Sequence, residues 1–393
     1  MKNRTRTKTG LTGLIRIFLA TLLAAVISLP AQAGSREQAK RIHDRLAGVP
    51  PTDVVLGQME ALIATNPQAA ADIAMNNKNF YNVTLKNFAA PWTNRDQSVF
   101  VPMNDYIATV IGMVRDDVDF STLLSSDLTY VGVGGVVSAT PSSRNNDHYA
   151  QLEANNVDLS LTANFDSTTQ SSVQQIPSTA TAGIMTSRAA SEAFFVAGTN
   201  RAMFRFTLLN HMCNDMEQMH DTSLAPDRVR QDVSRSPGGD SRLFLNSCIG
   251  CHSGMDPMAG AFAYYDFDES SQRLDYTPGT VQLKYFNNDL NFPQGFRTTD
   301  DSWMNYWLVG QNAYLGFSGP GMGNGAKSLG VELGTSYAFA ACQVKKVFRT
   351  VCLRDAENQT DRDAVDAIVA TFRSSGYRMK QVFADTAVHC MGQ

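Results

Sequence analysis

What is missing from this sequence narrows it first. There is no glycine-rich flavin or nicotinamide fingerprint and no acid–base pair at recognisable spacing. No second Cys/His pair stands at zinc-ligand spacing, because Cys213, Cys342, Cys352 and Cys390 are single and far apart. Past residue 33 no apolar run is long enough to span a bilayer, so the mature chain is expected to hold no integral membrane segment. The formal net charge is only -4, and no basic excess points to nucleic acid.

The N-terminus bears on compartment. Residues 1–33 read as a secretory signal peptide. Lys2, Arg4, Arg6, Lys8 and Arg16 form a basic leader, "IFLATLLAAVISL" is an apolar core, and "AQA" before Gly34 is a small-x-small cleavage site. No Cys follows to carry a lipid. The expectation is an exported protein in the periplasm. Removing the basic leader leaves a more acidic chain, which suits a basic redox partner.

One stretch carries chemistry. "NSCIGCHSGMDP", residues 246–257, contains a C-x-x-C-H, with Cys248, Cys251 and His252. This is the sequon for covalent c-type haem attachment. Two Cys three apart on one helical turn can present both sulfurs to one porphyrin, and the adjacent His can face the iron. Attachment takes place outside the cytoplasm, in agreement with the leader. A thioredoxin-like motif would instead want a preceding strand in a βαβ unit, where "GGDSRLFLN" reads as a loop and a short helix. A structural zinc site and a tight Cys248–Cys251 disulfide are the other readings. The sequon occurs once, which argues against a dihaem or multihaem arrangement.

The rest of the chain reads as mainly α. "REQAKRIHDRLAG" opens on a capping box at 35–38 and closes at Gly48. Thr52 can cap a second helix with Val55, Met59, Leu62 and Ile63 on one face. Ile107, Val110, Ile111 and Val114 form another stripe. Residues 130–181 are rich in Gly, Ser, Thr, Asn and Gln and read as loops with short strands, so a boundary or surface excursion lies there. A helix is expected at 198–219. After the motif come many aromatics, Phe262, Tyr265, Trp303 and Trp307 among them, of which part is expected to line a porphyrin pocket. Two more amphipathic helices follow, one on Val344, Val347, Phe348 and Val351. The other, capped by Thr360 and ended by Gly376, is built on Val365, Ile368, Val369 and Phe372. A final helix runs to about Cys390.

"CIGCHSGMDPMAGAFAYYDFD" resembles the haem segment of the large planctomycete-type cytochrome c proteins. In that family C-x-x-C-H is followed closely by Met-Asp-Pro, a Gly and a Phe/Tyr-Asp pair. Asp256, Pro257, Gly260 and Phe267-Asp268 fit, with one extra residue between Pro257 and Gly260. "RAMFRFTLLNHMC" looks like the helix before the motif in that family, and the segment from "YAFAACQVKKVFRTVCLRD" to Cys390 is similar to its C-terminal helices. The resemblance covers residues 185–393 and, more loosely, 36–130. It implies a cytochrome c-like haem domain embedded in a larger helical protein with loop-rich insertions. The expected organisation is a leader at 1–33, an N-terminal mainly helical region at 34–184, and a monohaem domain with C-terminal helices at 185–393.

The sixth iron position separates an electron carrier from a catalyst. Met255 and Met258 are too near His252 to reach the opposite porphyrin face. Met322, in the Gly/Pro-rich "GFSGPGMGNG", is the first candidate. Met304, on an expected helix, is second, and His211, His220 and His389 are outside candidates. The four remaining Cys, in an oxidising compartment, are expected in disulfides. Cys342 and Cys352 fall on one expected helix, about 15 Å apart at about 1.5 Å per residue. A disulfide needs Cα atoms within about 7 Å. Those two therefore do not bond to each other. The preferred pairing is Cys352 with Cys390 and Cys213 with Cys342, connectivity otherwise remaining open.

Three functions follow as expectations. The first is an exported monohaem c-type cytochrome, with one covalent haem c on Cys248 and Cys251, His252 and Met322 on the iron, and a redox protein as partner. The second is a haem enzyme with an open distal site: an oxidase, a peroxidase or the electron-accepting part of a dehydrogenase. Chain length favours something beyond a bare carrier, which needs only about 100 residues, at the low end of ordinary domain sizes. The third is a binding or scaffold protein with a haem sensor.

Overall fold

The computed structural model describes residues 33–196, 198–285 and 290–392. The expected leader, apart from Ala33, lies outside the described residues. Helices dominate, and the strands are short two-stranded pairs, so the mainly α expectation holds.

Three helices open the described chain and pack on one another: α1 (Ser35–Ala47), α2 (Asp53–Ile63) and α3 (Pro67–Met75). Each has a local reason to start or stop. α1 ends at Gly48, whose φ of 71° is the left-handed conformation a helix end uses. The Thr52 hydroxyl accepts from the Val55 amide to cap α2, as its sequence suggests. Asn66 caps α3, with Pro67 in the first turn. The capping box expected at 35–38 does not form. Gly34 is the N-cap, without a side-chain bond, and the Gln38 amide reaches the carbonyl of Gly392 instead.

α4 (Asp105–Arg115) is buried along its whole length and carries the Ile107–Val114 stripe through the centre. Against it lies β1 (Thr129–Gly132), antiparallel to β2 (Phe165–Thr168) with Thr129 opposite Thr168. Between these strands the structure adds α5 (Asp147–Ala154), which the polar composition of the segment conceals. His148 anchors it, with Nε2 accepting from the Gly132 amide and Nδ1 on the carbonyl of Ala139.

α6 (Arg201–Met212) is the hinge of the architecture. It packs against α7 (Ile249–Ala259), the helix of the C-x-x-C-H motif, and against α9 (Tyr337–Cys352) of the C-terminal bundle. It is shorter than the helix expected at 198–219. Cys213 takes a left-handed φ of 53° and is bonded to Cys342, so the chain turns away there. β3 (Tyr265–Asp268) pairs with β4 (Arg273–Tyr276), and β5 (Ser302–Met304) with β6 (Met322–Asn324). Met304 is therefore on a strand, not on the expected helix: it pairs with Met322, and the Asp300 carboxylate accepts from the Ser302 amide to start the strand.

α8 (Gly325–Gly334), α9, α10 (Gln359–Ser374) and α11 (Met379–His389) complete the chain. The apolar stripes read from the sequence in α9 and α10 are all buried. α10 is capped by Asn358, whose side chain accepts from the Asp361 amide, rather than by Thr360. α11 packs on α9 and α10 and also on α1 and α3, bringing the two ends of the chain together. One hydrophobic core runs from Ala39 to Ala387 and draws on residues either side of position 184. Two disulfides, Cys213–Cys342 and Cys352–Cys390, tie α6 to α9 and α9 to the end of α11, in the preferred pairing.

Candidate functional site

The C-x-x-C-H segment is helical but not uniformly so. Asp240 accepts from the Arg242 amide to cap a short helix, Ser241–Leu243. A π-helical turn, Phe244–Cys248, follows, and α7 begins at Ile249. Such π turns often mark functional positions. Cys248 leans on a small cluster of Val229, Phe244 and Ile249, and Cys251 on the main core. Both are partly exposed free thiols. The Cys251 thiol donates to the carbonyl of Met216 at 3.3 Å. Burial first, and then Glu217, push that thiol up, the opposite of what a reactive thiolate in a redox-active C-x-x-C requires. No strand leads into the motif as a thioredoxin-like unit would need. Among the described residues no three His, Cys, Asp or Glu side chains gather at metal-ligand spacing, so a structural zinc site has no ligand set.

His252 is held from behind. Its Nδ1 lies 3.2 Å from Oδ1 of Asp256, four residues on along the same helical face. The Asp256 side chain is fully buried and shared among several donors. Arg201 Nε donates to Oδ1 at 2.7 Å and its Nη2 to Oδ2 at 3.0 Å. The Arg230 amide donates to Oδ2 at 3.2 Å. Burial by itself would raise the Asp256 pKa. Arg201, His252 and Arg230 together outweigh it and hold the carboxyl well below the usual carboxylate range. Arg201 is itself anchored by Asp232 at 2.6 and 2.9 Å, and Arg230 stacks over the ring of Tyr285. Nε2 of His252 has no hydrogen-bond partner among the described residues. Because an ionised Asp256 can only accept, Nδ1 is the donor of that bond.

Two glycines on this helix are close-approach positions. A Cβ on Gly250 would stand 2.7 Å from Nε2 of His220, and one on Gly254 would stand 2.3 Å from Nε1 of Trp307. The Trp307 indole is fully buried, and its Nε1 has no hydrogen-bond partner among the described residues. Immediately after it, Leu308 and Val309 are exposed, Val309 to 72%. The Gly321 turn touches Leu308, and Met322 beside it is 57% exposed. Leu243 and Leu245 are likewise exposed just before the motif. Exposed apolar side chains thus stand in the chain segments on either side of α7.

The other candidates fall elsewhere. His211 is buried in the core, with Nε2 on the Tyr106 hydroxyl at 2.6 Å and Nδ1 accepting from the Gln343 amide at 3.4 Å; burial keeps it neutral. His389 binds Asp361 at 2.9 Å between α10 and α11. His220 lies against Gly250, on the motif helix itself. Met255 and Met258 are core residues, and Phe262, Tyr265 and Trp303 are also core. Met322, in contrast, stands on the exposed ledge beside Leu308. Sequence reasoning attached no role to Arg201 or Arg230, and placed Trp307 only among the aromatics from which a porphyrin pocket was expected. Asp256 was within reach, because a carboxylate four residues after a histidine on one helix is a hydrogen-bonding pair. The two arginines had no such signal, since 55 residues separate Arg201 from Asp256.

Comparison of the chain with protein-family models, with curated proteins and with solved structures finds no match.

Proposed function

We propose that this chain is an exported monohaem c-type cytochrome that passes single electrons to or from a partner redox protein, in the manner of the planctomycete-type large cytochrome c proteins it resembles. Cys248 and Cys251 are the thioether anchors, His252 the proximal ligand and Met322 the distal one. Haem c supplies an iron that alternates between the ferrous and ferric states, one electron at a time.

The observation that carries the reading is the state of His252. Its Nδ1 is committed to a buried, arginine-clamped carboxylate while Nε2 has no partner among the described residues, which is the arrangement of a metal-ligating histidine with its supporting shell. Two adjacent free thiols, in a chain whose other four cysteines are bonded, support the same reading. So does the exposed apolar surface on either side of α7. In this role Asp256 fixes the imidazole plane and tautomer. Arg201 and Arg230 keep Asp256 ionised and in place, and draw part of its negative charge away from the imidazole. Gly250 and Gly254 let His220 and Trp307 close on the helix. Among the described residues no helix is long and apolar enough to cross a membrane. The periplasm is the proposed compartment.

The test is the intact mass of the protein exported from a host competent in cytochrome c maturation. One covalent haem is expected, resistant to acid–acetone extraction and abolished by Cys248→Ala with Cys251→Ala. A mass without the increment overturns the reading. One observation favours the enzyme alternative. A carboxylate behind the proximal imidazole makes it a stronger donor, which stabilises ferric iron and suits reaction with peroxide. The ferric spectrum separates the two. A low-spin species that becomes high-spin and binds carbon monoxide after Met322→Ala belongs to a carrier, and a native high-spin species belongs to an enzyme.

A further inference from the structure

A cavity of about 930 Å³ opens between α6, α9 and α10, and no residue of α7 lines it. That volume suits a small organic ligand. Its lining includes Phe88, Trp92 and Phe348, each nearly buried, the amides of Asn210 and Gln97, and the basic residues Lys345, Arg349 and Arg362. The Cys213–Cys342 disulfide joins two of its sides, so its shape is held covalently.

Lys346 projects into this cavity from α9. Its stem is partly exposed, but its ammonium lies 4.0 Å over the centre of the Trp92 ring and donates to the carbonyl of Asn210. No carboxylate among the described residues stands within ion-pair distance of it. The neighbouring acids are either engaged elsewhere, Asp215 with Arg205 and Asp355 with Arg349, or, like Asp366, on the wall without reaching it. Enclosure first, and then the Arg349 charge, push the Lys346 pKa well down. A cation stripped of water and facing a second cation is costly to keep charged, and an incoming anion removes that cost.

We propose that this cavity binds a small organic acid with a flat apolar body, its carboxylate paired with Lys346 and its body against Trp92 and Phe88. The site needs no haem and stands whether or not the C-x-x-C-H reading does.

The experiment uses the exported full-length protein and two matched probes, 1-naphthoate and 1-naphthamide, which share shape and differ in charge. By calorimetry the naphthoate should bind about tenfold or more tightly, the ratio expected of one charge-assisted hydrogen bond. Lys346→Met should abolish that preference while leaving the weak binding of the amide. In the unmutated protein, naphthoate should slow reductive methylation of Lys346, mapped by peptide mass, and leave the exposed Lys40, which is outside the cavity lining, unchanged. Equal affinity for the two probes, no naphthoate binding at millimolar concentration, or methylation of Lys346 at the same rate with and without naphthoate would each overturn the proposal. The protection measurement decides the matter even if the substituted protein does not fold.

Discussion

The C-terminal bundle and the motif helix both contain a histidine held by a buried aspartate, and the surroundings of the two pairs differ. In the bundle, His389 and Arg354 converge on Asp361, the apolar faces of α9, α10 and α11 are covered, and the cysteines are bonded. At α7, His252 also rests on an aspartate clamped by arginine. There, however, two thiols are free, an indole N–H lacks a partner among the described residues, and leucine and valine face water. A residue type therefore says little about role. Single buried polar atoms without a partner among the described residues, such as Gln343 Oε1 and Thr386 Oγ1, occur in the bundle as well; what sets α7 apart is that free thiols, an unmatched indole N–H and exposed apolar side chains occur around one helix.

Breaking the two clamps should expose that difference most sharply. Asp256→Ala leaves Arg230 buried without its carboxylate and half-releases Arg201, so urea denaturation should show a loss of about 3–5 kcal/mol, the usual cost of removing one partner of a buried charge pair. A loss under about 1 kcal/mol would mean that Asp256 is wetter than its burial indicates.

The covalent ties come next. Cys213→Ser with Cys342→Ser opens a link across 129 residues and should cost about 2–4 kcal/mol in the same measurement. Peptide mapping without reductant should recover Cys213–Cys342 and Cys352–Cys390. A Cys342–Cys352 peptide would contradict α9.

Smaller effects sharpen the comparison through packing. Gly254→Ala drives a methyl into Trp307 and should destabilise by about 1–3 kcal/mol. Gly57→Ala, at an α2 position with nothing within 4 Å of the new methyl, should instead stabilise by about 0.5–1 kcal/mol. Thermal melts of the two variants should move in opposite directions.

An effect of similar small size is expected on acid stability. Arg354 hydrogen bonding is the first cause of the depressed Asp361 pKa, about 2 in the folded protein, and His389 adds to it. A depressed carboxylate contributes stability that is complete above its ordinary pKa of about 4 and is lost as pH falls through about 2. Because Arg354 is largely exposed, the contribution is discounted to about 1 kcal/mol. Asp361→Asn should remove that much at pH 6 and nothing at pH 1.5, read from urea midpoints.

Much of the fold was legible because it is periodic. The stripes of α4, α9 and α10 follow the 3.6-residue repeat, Gly48 ends a helix by its left-handed backbone, and Thr52 begins one through its hydroxyl, both local effects. The spacing of Cys342 and Cys352 on one helix was enough to forbid their bond. What failed was local and overruled from a distance. α6 stops at Cys213 because a disulfide partner 129 residues away holds that turn. Met304 is in a strand because Met322 lies opposite. Gln38 gives up its capping role because the Gly392 carbonyl is beside it.

The same division holds for the candidate site. By itself the sequence determined the C-x-x-C-H spacing, the helical turn that sets Cys248, Cys251 and His252 on it, and the four-residue interval that lets Asp256 reach the imidazole, since each depends only on covalent geometry and helix pitch. Tertiary structure alone decided that Asp256 is buried and ionised, because Arg201 and Arg230 arrive from other segments. It also decided that Trp307 closes on Gly254 and that Leu308, Val309 and Met322 stay in water while their neighbours are buried. Burial and charge pairing are properties of the assembled chain, where residues far apart in sequence exclude water together, and no local pattern encodes them.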